Sequence, residues 1–370
     1  MNKELSVYIH VPFCVKKCKY CDFLSSAGQE RAGEYFATLG DEIRLKADEF
    51  SGRSLSTVFF GGGTPSYPAA EYIERVMRLL KEYFTLDDDC EITMEANPDS
   101  LTKEKLIIYR AAGINRLSMG LQSDSRELLS RLGRVHSYER FLEAFRDARS
   151  AGFSNINVDL MFGLPGQSLA DYEKTLRTVS ELQSEHISCY GLIVEEGTPL
   201  YLENPKDLPD EETERRMFRV SGELLSQYGY RQYEISNFAR EGFECRHNIV
   251  YWKRGEYLGL GLGAHSFTGG ERYHITEDFG EYISRDFSKR GTEVLTPRDE
   301  YAEFFFLGLR MNEGVSLDEF QKCFGVGAEE IFAGQLEKLK SDKLIVQEDS
   351  TIKLTAYGTD ISNRVFAEFI

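Results

Sequence analysis

Six short runs rich in Val, Ile, Phe and Tyr limit what this chain can become: Leu5–Val11, Thr57–Phe60, Glu91–Glu95, Arg116–Met119, Asn155–Met161 and Ile187–Ile193. Each is followed by a glycine or polar turn and then by a segment with helical spacing. In Gly33–Asp48 the residues Leu39, Ile43 and Leu45 are read as one apolar face, and Tyr138–Ala151 and Ala170–Gln183 behave alike. Strand and helix thus alternate six times. Short loops and right-handed crossovers turn such a series into a parallel sheet, and polar turns after the strands place a site at their C-terminal ends. Six repeats predict an open, partial (β/α)6 barrel. Periodicity alone does not separate this from an open doubly wound sheet.

Beyond about Gly197 the pattern changes. A charged helix near Asp210–Gln227 leads to Tyr230–Phe238 and then to a stretch rich in glycine and aromatics through Phe267, read as an extension flanking the barrel mouth. From Pro297 onward the sequence predicts a helix (Arg298–Met311), a helix-turn-helix-like stretch (Ser316–Ser341) and a hairpin (Leu344–Leu354), together resembling a winged helix. That segment does not look like a DNA reader, because residues 291–370 hold 8 basic against 15 acidic side chains. The whole chain has 44 Lys and Arg against 61 Asp and Glu, a net charge of −17, which argues against phosphate-driven nucleic-acid binding. No apolar run approaches the roughly 20 residues of a membrane span. The N-terminal apolar stretch, interrupted by His10 and Pro12, is no secretory signal. A cytoplasmic location is expected.

Three of the seven cysteines crowd into Cys14-x3-Cys18-x2-Cys21, directly after the first strand. Thiolates at this spacing on a loop suit one cuboidal iron–sulfur cluster and leave one iron without a protein ligand. A zinc site is the alternative, with His10 or Asp22 as fourth ligand. Next comes Gly61-Gly62-Gly63-Thr64-Pro65 after the second strand, where bare backbone admits close approach of a ligand. Glu95, Gln122 and Asp159 then mark three further strand ends.

Cys14-Val-Lys-Lys-Cys18-Lys-Tyr20-Cys21 resembles the cluster motif of the radical S-adenosylmethionine (SAM) superfamily, and Tyr8-Ile-His-Val-Pro-Phe before it is similar to the coproporphyrinogen dehydrogenase branch. The resemblance implies a 4Fe-4S cluster on Cys14, Cys18 and Cys21 whose open iron is chelated by SAM, the reduced cluster cleaving SAM to a deoxyadenosyl radical. It also implies SAM contacts at Tyr8, Tyr20, Gly62, Gly63, Thr64, Glu95, Gln122, Arg134, Asp159 and Gly191. Carboxylates suit ribose hydroxyls or an ammonium, and Arg134 suits a carboxylate.

Two features separate subgroups of that branch. The dehydrogenases carry a fourth Cys where this chain has Phe23. Arg246-His247-Asn248-Ile249-Val250-Tyr251-Trp252 carries the His-Asn-x-x-Tyr-Trp signature of the HemW-type heme chaperones. By this resemblance the chain binds heme and passes it to an acceptor protein, with His247 as candidate iron ligand. His265 is a second, more structural candidate, and His10 a partner for SAM or a cluster sulfur. The alternative is oxidative decarboxylation of coproporphyrinogen III. Lys16, Lys17 and Lys19 suggest docking of an acidic electron donor such as flavodoxin. The expected architecture is α/β: a radical SAM partial barrel over 1–235, an extension with the His-Asn-x-x-Tyr-Trp segment over 236–296, and a small winged-helix-like α+β domain over 297–370.

Overall fold

Alternation of apolar and polar residues along six strands decides how this chain folds. In the computed structural model, which describes residues 4–370, these strands are β1 (Glu4–Val11), β2 (Ser54–Gly62), β3 (Thr85–Ala96), β4 (Arg116–Gln122), β5 (Ile156–Phe162) and β6 (His186–Gly191). Residues 1–3 of the expected first unit lie outside the described residues. The six strands pair in parallel in their sequence order. An order without reversal removes the doubly wound alternative, which needs a switch point within the sheet.

Outward residues such as Val7, Ile9, Val58, Met94, Leu117 and Val158 enter the main hydrophobic core. The helices α1 (Ala32–Glu49), α2 (Ala70–Tyr83), α3 (Lys103–Ala112), α4 (Arg126–Arg131), α5 (Tyr138–Ser150) and α6 (Leu169–Ser180) return the chain between strands. Their starts are set locally: Ser125, Ser137 and Ser168 each accept a backbone N–H at a helix N-terminus, Ser168 within a full capping box with Asp171. On α1, Leu39 and Ile43 are fully buried but Leu45 is exposed. Two residues beyond Ile43 is about 200° around a helix, the wrong face, so the expected three-residue face has two members.

The inward face is polar. It carries Ser6, Tyr8 and His10 from β1, Thr57 from β2, Glu91 and Glu95 from β3, Arg116 and Ser118 from β4, Asn157 and Asp159 from β5, and Ser188 from β6. Their registers place Ser6 beside Thr57, Thr57 beside Glu91, Glu95 beside Ser118, and Asp159 beside Ser188. A closed (β/α) barrel fills this space with branched apolar side chains; here the open barrel encloses a polar one.

The next helices are α7 (Pro199–Glu203) and α8 (Glu211–Gln227). The segment that follows extends both sheet edges. β7 (Arg231–Gln232) and β8 (Asn237–Ala239) add antiparallel strands beyond β6. β9 (Tyr257–Leu260) returns to pair in parallel with β1, followed outward by β10 (His265–Thr268), β11 (Glu271–His274) and β12 (Arg290–Val294). Between them α9 (Arg246–Trp252) sits against β2 at Thr57 and β3 at Glu91. The Glu91 carboxylate holds it there, accepting the backbone N–H groups of Arg246 and His247 at 3.0 and 3.1 Å. An anion at the positive helix end favours this placement.

The C-terminal elements have their own core around Phe305, Phe320, Phe332, Ile352 and Phe369. After α10 (Phe279–Ile283) they comprise α11 (Pro297–Gly308), β13 (Val315–Ser316), α12 (Leu317–Phe324), α13 (Ala328–Ser341), and the hairpin β14 (Ile345–Glu348) and β15 (Thr351–Leu354). Strands β13, β15 and β14 form one small sheet, giving the expected winged-helix-like arrangement. Gly325, left-handed at φ +74°, separates α12 from α13. The guanidinium of Arg310 lies 4.3 Å from the ring centroid of Trp252, joining this unit to α9.

Candidate functional site

The cysteine loop is pinned at several points. Phe13–Cys14 pairs with Ser26–Ala27, the Lys19 N–H donates to Leu132 O at 2.9 Å, and Lys19 O accepts from Leu200 at 2.8 Å. Thr64 Oγ1 donates to Cys14 Sγ and Arg134 to Cys18 Sγ, each at 3.5 Å. Burial raises the Cys14 and Cys21 thiols above their ordinary value, so their thiolates want more positive charge than the protein supplies. Among the described residues no three His, Cys, Asp or Glu side chains gather closely enough for a single ion.

These thiols border a cavity of about 460 Å³ whose far wall is the polar inner face of the sheet. Cys14, Cys18, Cys21, Tyr8, Tyr20, Gly62, Gly63, Thr64, Glu95, Gln122, Arg134, Asp159 and His247 all line it. Gly191 does not. Ser188 and Tyr190 line the cavity, so strand alternation turns Gly191 outward, and a side chain there would meet Phe162 at 3.2 Å and Glu214 at 3.4 Å.

Burial, with Asp159 nearby, pushes Glu95 up to about 8, against a backbone bond from Gly62. Burial also raises Asp159, which accepts from Ser118 at 3.0 Å and from Asn157 at 2.8 Å. Gln122 stands at a β-bulge with φ +72°, a conformation uncommon outside glycine. Asn97 Oδ1, Arg134 Nε and Asn237 Oδ1 are buried at the cavity without partners among the described residues. Orphaned groups of this kind fit a polar ligand that completes them.

The glycine turn is sterically required. Gly62 has φ +105°, and a Cβ on it would lie 2.5 Å from the His10 ring. On Gly63 a Cβ would sit 2.9 Å from the carbonyl oxygens of both Val11 and Phe13. Because those are backbone atoms, Gly63→Ala is expected to push the cysteine loop away. The expected loss is about 2 kcal/mol of stability and at least about tenfold in affinity for a cavity ligand, checked by thermal unfolding and ligand titration.

His10 is bonded within the protein at both ring nitrogens. Its Nε2 donates to Leu24 O at 2.7 Å, so Nδ1 accepts from the Tyr8 hydroxyl at 3.2 Å. His247, 1% exposed, is likewise engaged at both nitrogens: Nδ1 with Thr57 Oγ1 at 2.7 Å, Nε2 with the Tyr251 hydroxyl at 2.8 Å. Thr57 donates onward to Ser6, which makes Nδ1 the donor and leaves Nε2 accepting from Tyr251. The ring also stacks on Phe59 at 5.0 Å, and burial with Arg116 nearby pushes its pKa down to about 3. Neutral and bonded at both nitrogens, His247 stands in the cavity wall. His265 is stacked on His274 at 5.0 Å along the outer strands, away from the cavity.

Of the three lysines, Lys19 is paired with Glu203 at 2.7 Å and Lys17 donates to Phe23 O at 2.9 Å; Lys16 alone has no partner among the described residues. Sequence reasoning missed Asn97, Arg116, Ser118, Asn157 and Ser188 as lining residues, while Asn248 and Tyr251 belong to the segment it singled out. For β4 the signal was present: Arg116, Ser118, Gly120 and Gln122 alternate with Leu117, Met119 and Leu121.

The description of the radical SAM superfamily matches residues 8–179, and that of the HemN C-terminal domain matches residues 295–360. The chain is 38% identical to the heme chaperone HemW of Bacillus subtilis (strain 168), with 99% of each chain covered. It is 35% identical to the heme chaperone HemW of Escherichia coli (strain K12), covering 99% of this chain and 98% of that one. Among solved structures it is similar to coproporphyrinogen III oxidase (HemN) of Escherichia coli, a radical SAM enzyme, with a TM-score of 0.88 and 26% identity over all of this chain and 90% of the other.

Proposed function

Because this chain belongs to the HemW family of heme chaperones within the radical SAM superfamily, we propose that it holds a 4Fe-4S cluster and SAM, binds heme, and passes the heme to an acceptor protein. The observation that carries this reading is the meeting of three loop thiols with the polar inner face of six strands around one cavity. In the proposal Cys14, Cys18 and Cys21 ligate the cluster. Gly62, Gly63 and Thr64 present bare backbone to the amino-acid end of SAM, Glu95 and Asp159 face its ammonium or ribose, and Arg134 meets its carboxylate. Tyr8, Tyr20 and Gln122 form the remaining walls. A reduced cluster with SAM bound supplies one-electron chemistry, and the protein contributes position and exclusion of water.

Our division keeps the barrel at 1–235, the segment with α9 at 236–296, and the winged-helix-like unit at 297–370. No described helix is long and apolar enough to cross a membrane; we place the chain in the cytoplasm. An acidic donor such as flavodoxin is our proposed reductant, with Lys16 and Lys17 as the cations that meet no carboxylate among the described residues. Whole-chain identity favours the chaperone over the decarboxylase, as does Phe23 at the position that the resemblance assigns to a fourth Cys.

The test is anaerobic incubation of reconstituted protein with SAM, reductant and coproporphyrinogen III, alongside a hemin titration. Hemin binding without change in the porphyrinogen is the expected result. Formation of protoporphyrinogen would replace this reading with the decarboxylase.

A further inference from the structure

On the reading that this protein binds heme, we propose that the heme docks outside the SAM cavity, across its mouth, on Phe23 and Val15 of the cysteine loop, with its propionates toward Lys16 and Lys17. The cavity itself is a poor host for a porphyrin. Its walls set Glu95, Asp159, Arg116 and Arg134 among aromatic residues such as Tyr8, Phe59 and Tyr190, and burying an apolar macrocycle against the four charged side chains would strip their hydration without replacing it. Its volume, about 460 Å³, is in the range that one ligand of nucleoside size occupies. Iron has no access to His247, whose two nitrogens are bonded to Thr57 and Tyr251.

The mouth has the complementary chemistry. Phe23 is 61% exposed and Val15 48% exposed, on a loop that backbone bonds at both flanks hold in place. The Phe23 backbone is also tied down, its carbonyl accepting from Lys17. An exposed aromatic on a pinned loop is what a flat apolar ligand stacks on. Lys16, Lys17 and Phe23 all border the cavity opening, and neither lysine meets a carboxylate. Asp22 is the single acid between Cys14 and Phe23. In a chain of net charge −17, two unopposed cations beside an exposed ring fit an apolar plate that bears two carboxylates.

The test titrates hemin into full-length, cluster-reconstituted protein, comparing wild type with Phe23→Asp, Lys16→Glu, the double variant and Phe23→Trp. Iron content shows whether each loop is intact. The double variant is expected to bind hemin at least about tenfold more weakly, and Phe23→Trp to bind as tightly as wild type. Wild-type affinity in the double variant would overturn the site. So would loss of affinity confined to His247→Gln, which would return the iron to α9. Unchanged hemin affinity with slower reduction of the cluster by flavodoxin would make this rim a protein-docking surface instead. A wild type that binds no hemin would overturn the chaperone reading itself, a separate outcome from failure of the rim variants.

Discussion

Serine in place of Cys18 is expected to abolish cluster assembly, with bound iron falling from about four atoms per chain to near zero after reconstitution. The thiol is one of three that the loop provides, and a serine hydroxyl does not ionise near neutral pH to replace it. Cys14→Ser and Cys21→Ser should behave alike. The loss would not come from unfolding, since Cys18 and Cys21 are only partly buried and the loop is held by backbone bonds from Lys19 to Leu132 and Leu200. Cys323→Ser is the control: that thiol is exposed on α12, far along the chain from the cysteine loop. Iron and sulfide analysis, with the visible absorbance of the protein, decides the matter. A Cys18→Ser protein that kept its iron would remove the triad from the site.

The second large effect is a proton coupled to SAM binding. With its pKa raised to about 8, Glu95 is mostly neutral at pH 7 in the empty protein. A cation arriving beside it favours the carboxylate, so binding expels a proton wherever the pH lies below that value. Affinity for SAM should then rise about tenfold per pH unit between roughly pH 6 and 8 and level off above, about a hundredfold in all. Glu95→Gln should flatten the curve and bind weakly throughout. Calorimetry in buffers of different ionisation enthalpy counts the proton directly; the same heat in every buffer would count against the coupling.

Stability has the opposite slope. Glu95 has a folded pKa above its unfolded one, so its contribution is complete below about pH 4.5 and is lost as pH rises through about 8. Because Glu95 is partly exposed to the cavity, the empty protein should lose on the order of 2 kcal/mol across that range from this group. Glu42, fully buried on α1 and raised to about 7, adds a slope of the same sign. It does not line the cavity, so its replacement should change the stability curve and leave the SAM curve alone.

Much of this was legible in the sequence because the information was local. The cysteine triad, the glycine turn and the strand ends are contiguous motifs, and caps such as Ser168 with Asp171 are read within four residues. What failed involved distance. The partners of His247 are Thr57, 190 positions away, and Tyr251, whose direction depends on how α9 lies. The position of α9 depends in turn on Glu91, which in sequence looks like any acid entering a strand. β9 returns to β1 across most of the chain, and no period in the sequence reports that pairing. Gly191 is a different kind of miss: the alternation that turns Ser188 and Tyr190 inward also turns Gly191 out.

The inner face of the sheet also bears on how long such a molecule survives in a cell. An empty barrel holds unpaired Asn97 and Arg134 atoms, a carboxylate forced neutral and three thiols without a metal. Ligands that complete them bind the folded form alone, and each tenfold excess over the dissociation constant adds about 1.4 kcal/mol of stability. Scarcity of iron or of methionine would therefore appear first as faster proteolytic turnover, making the amount of the protein itself a gauge of supply.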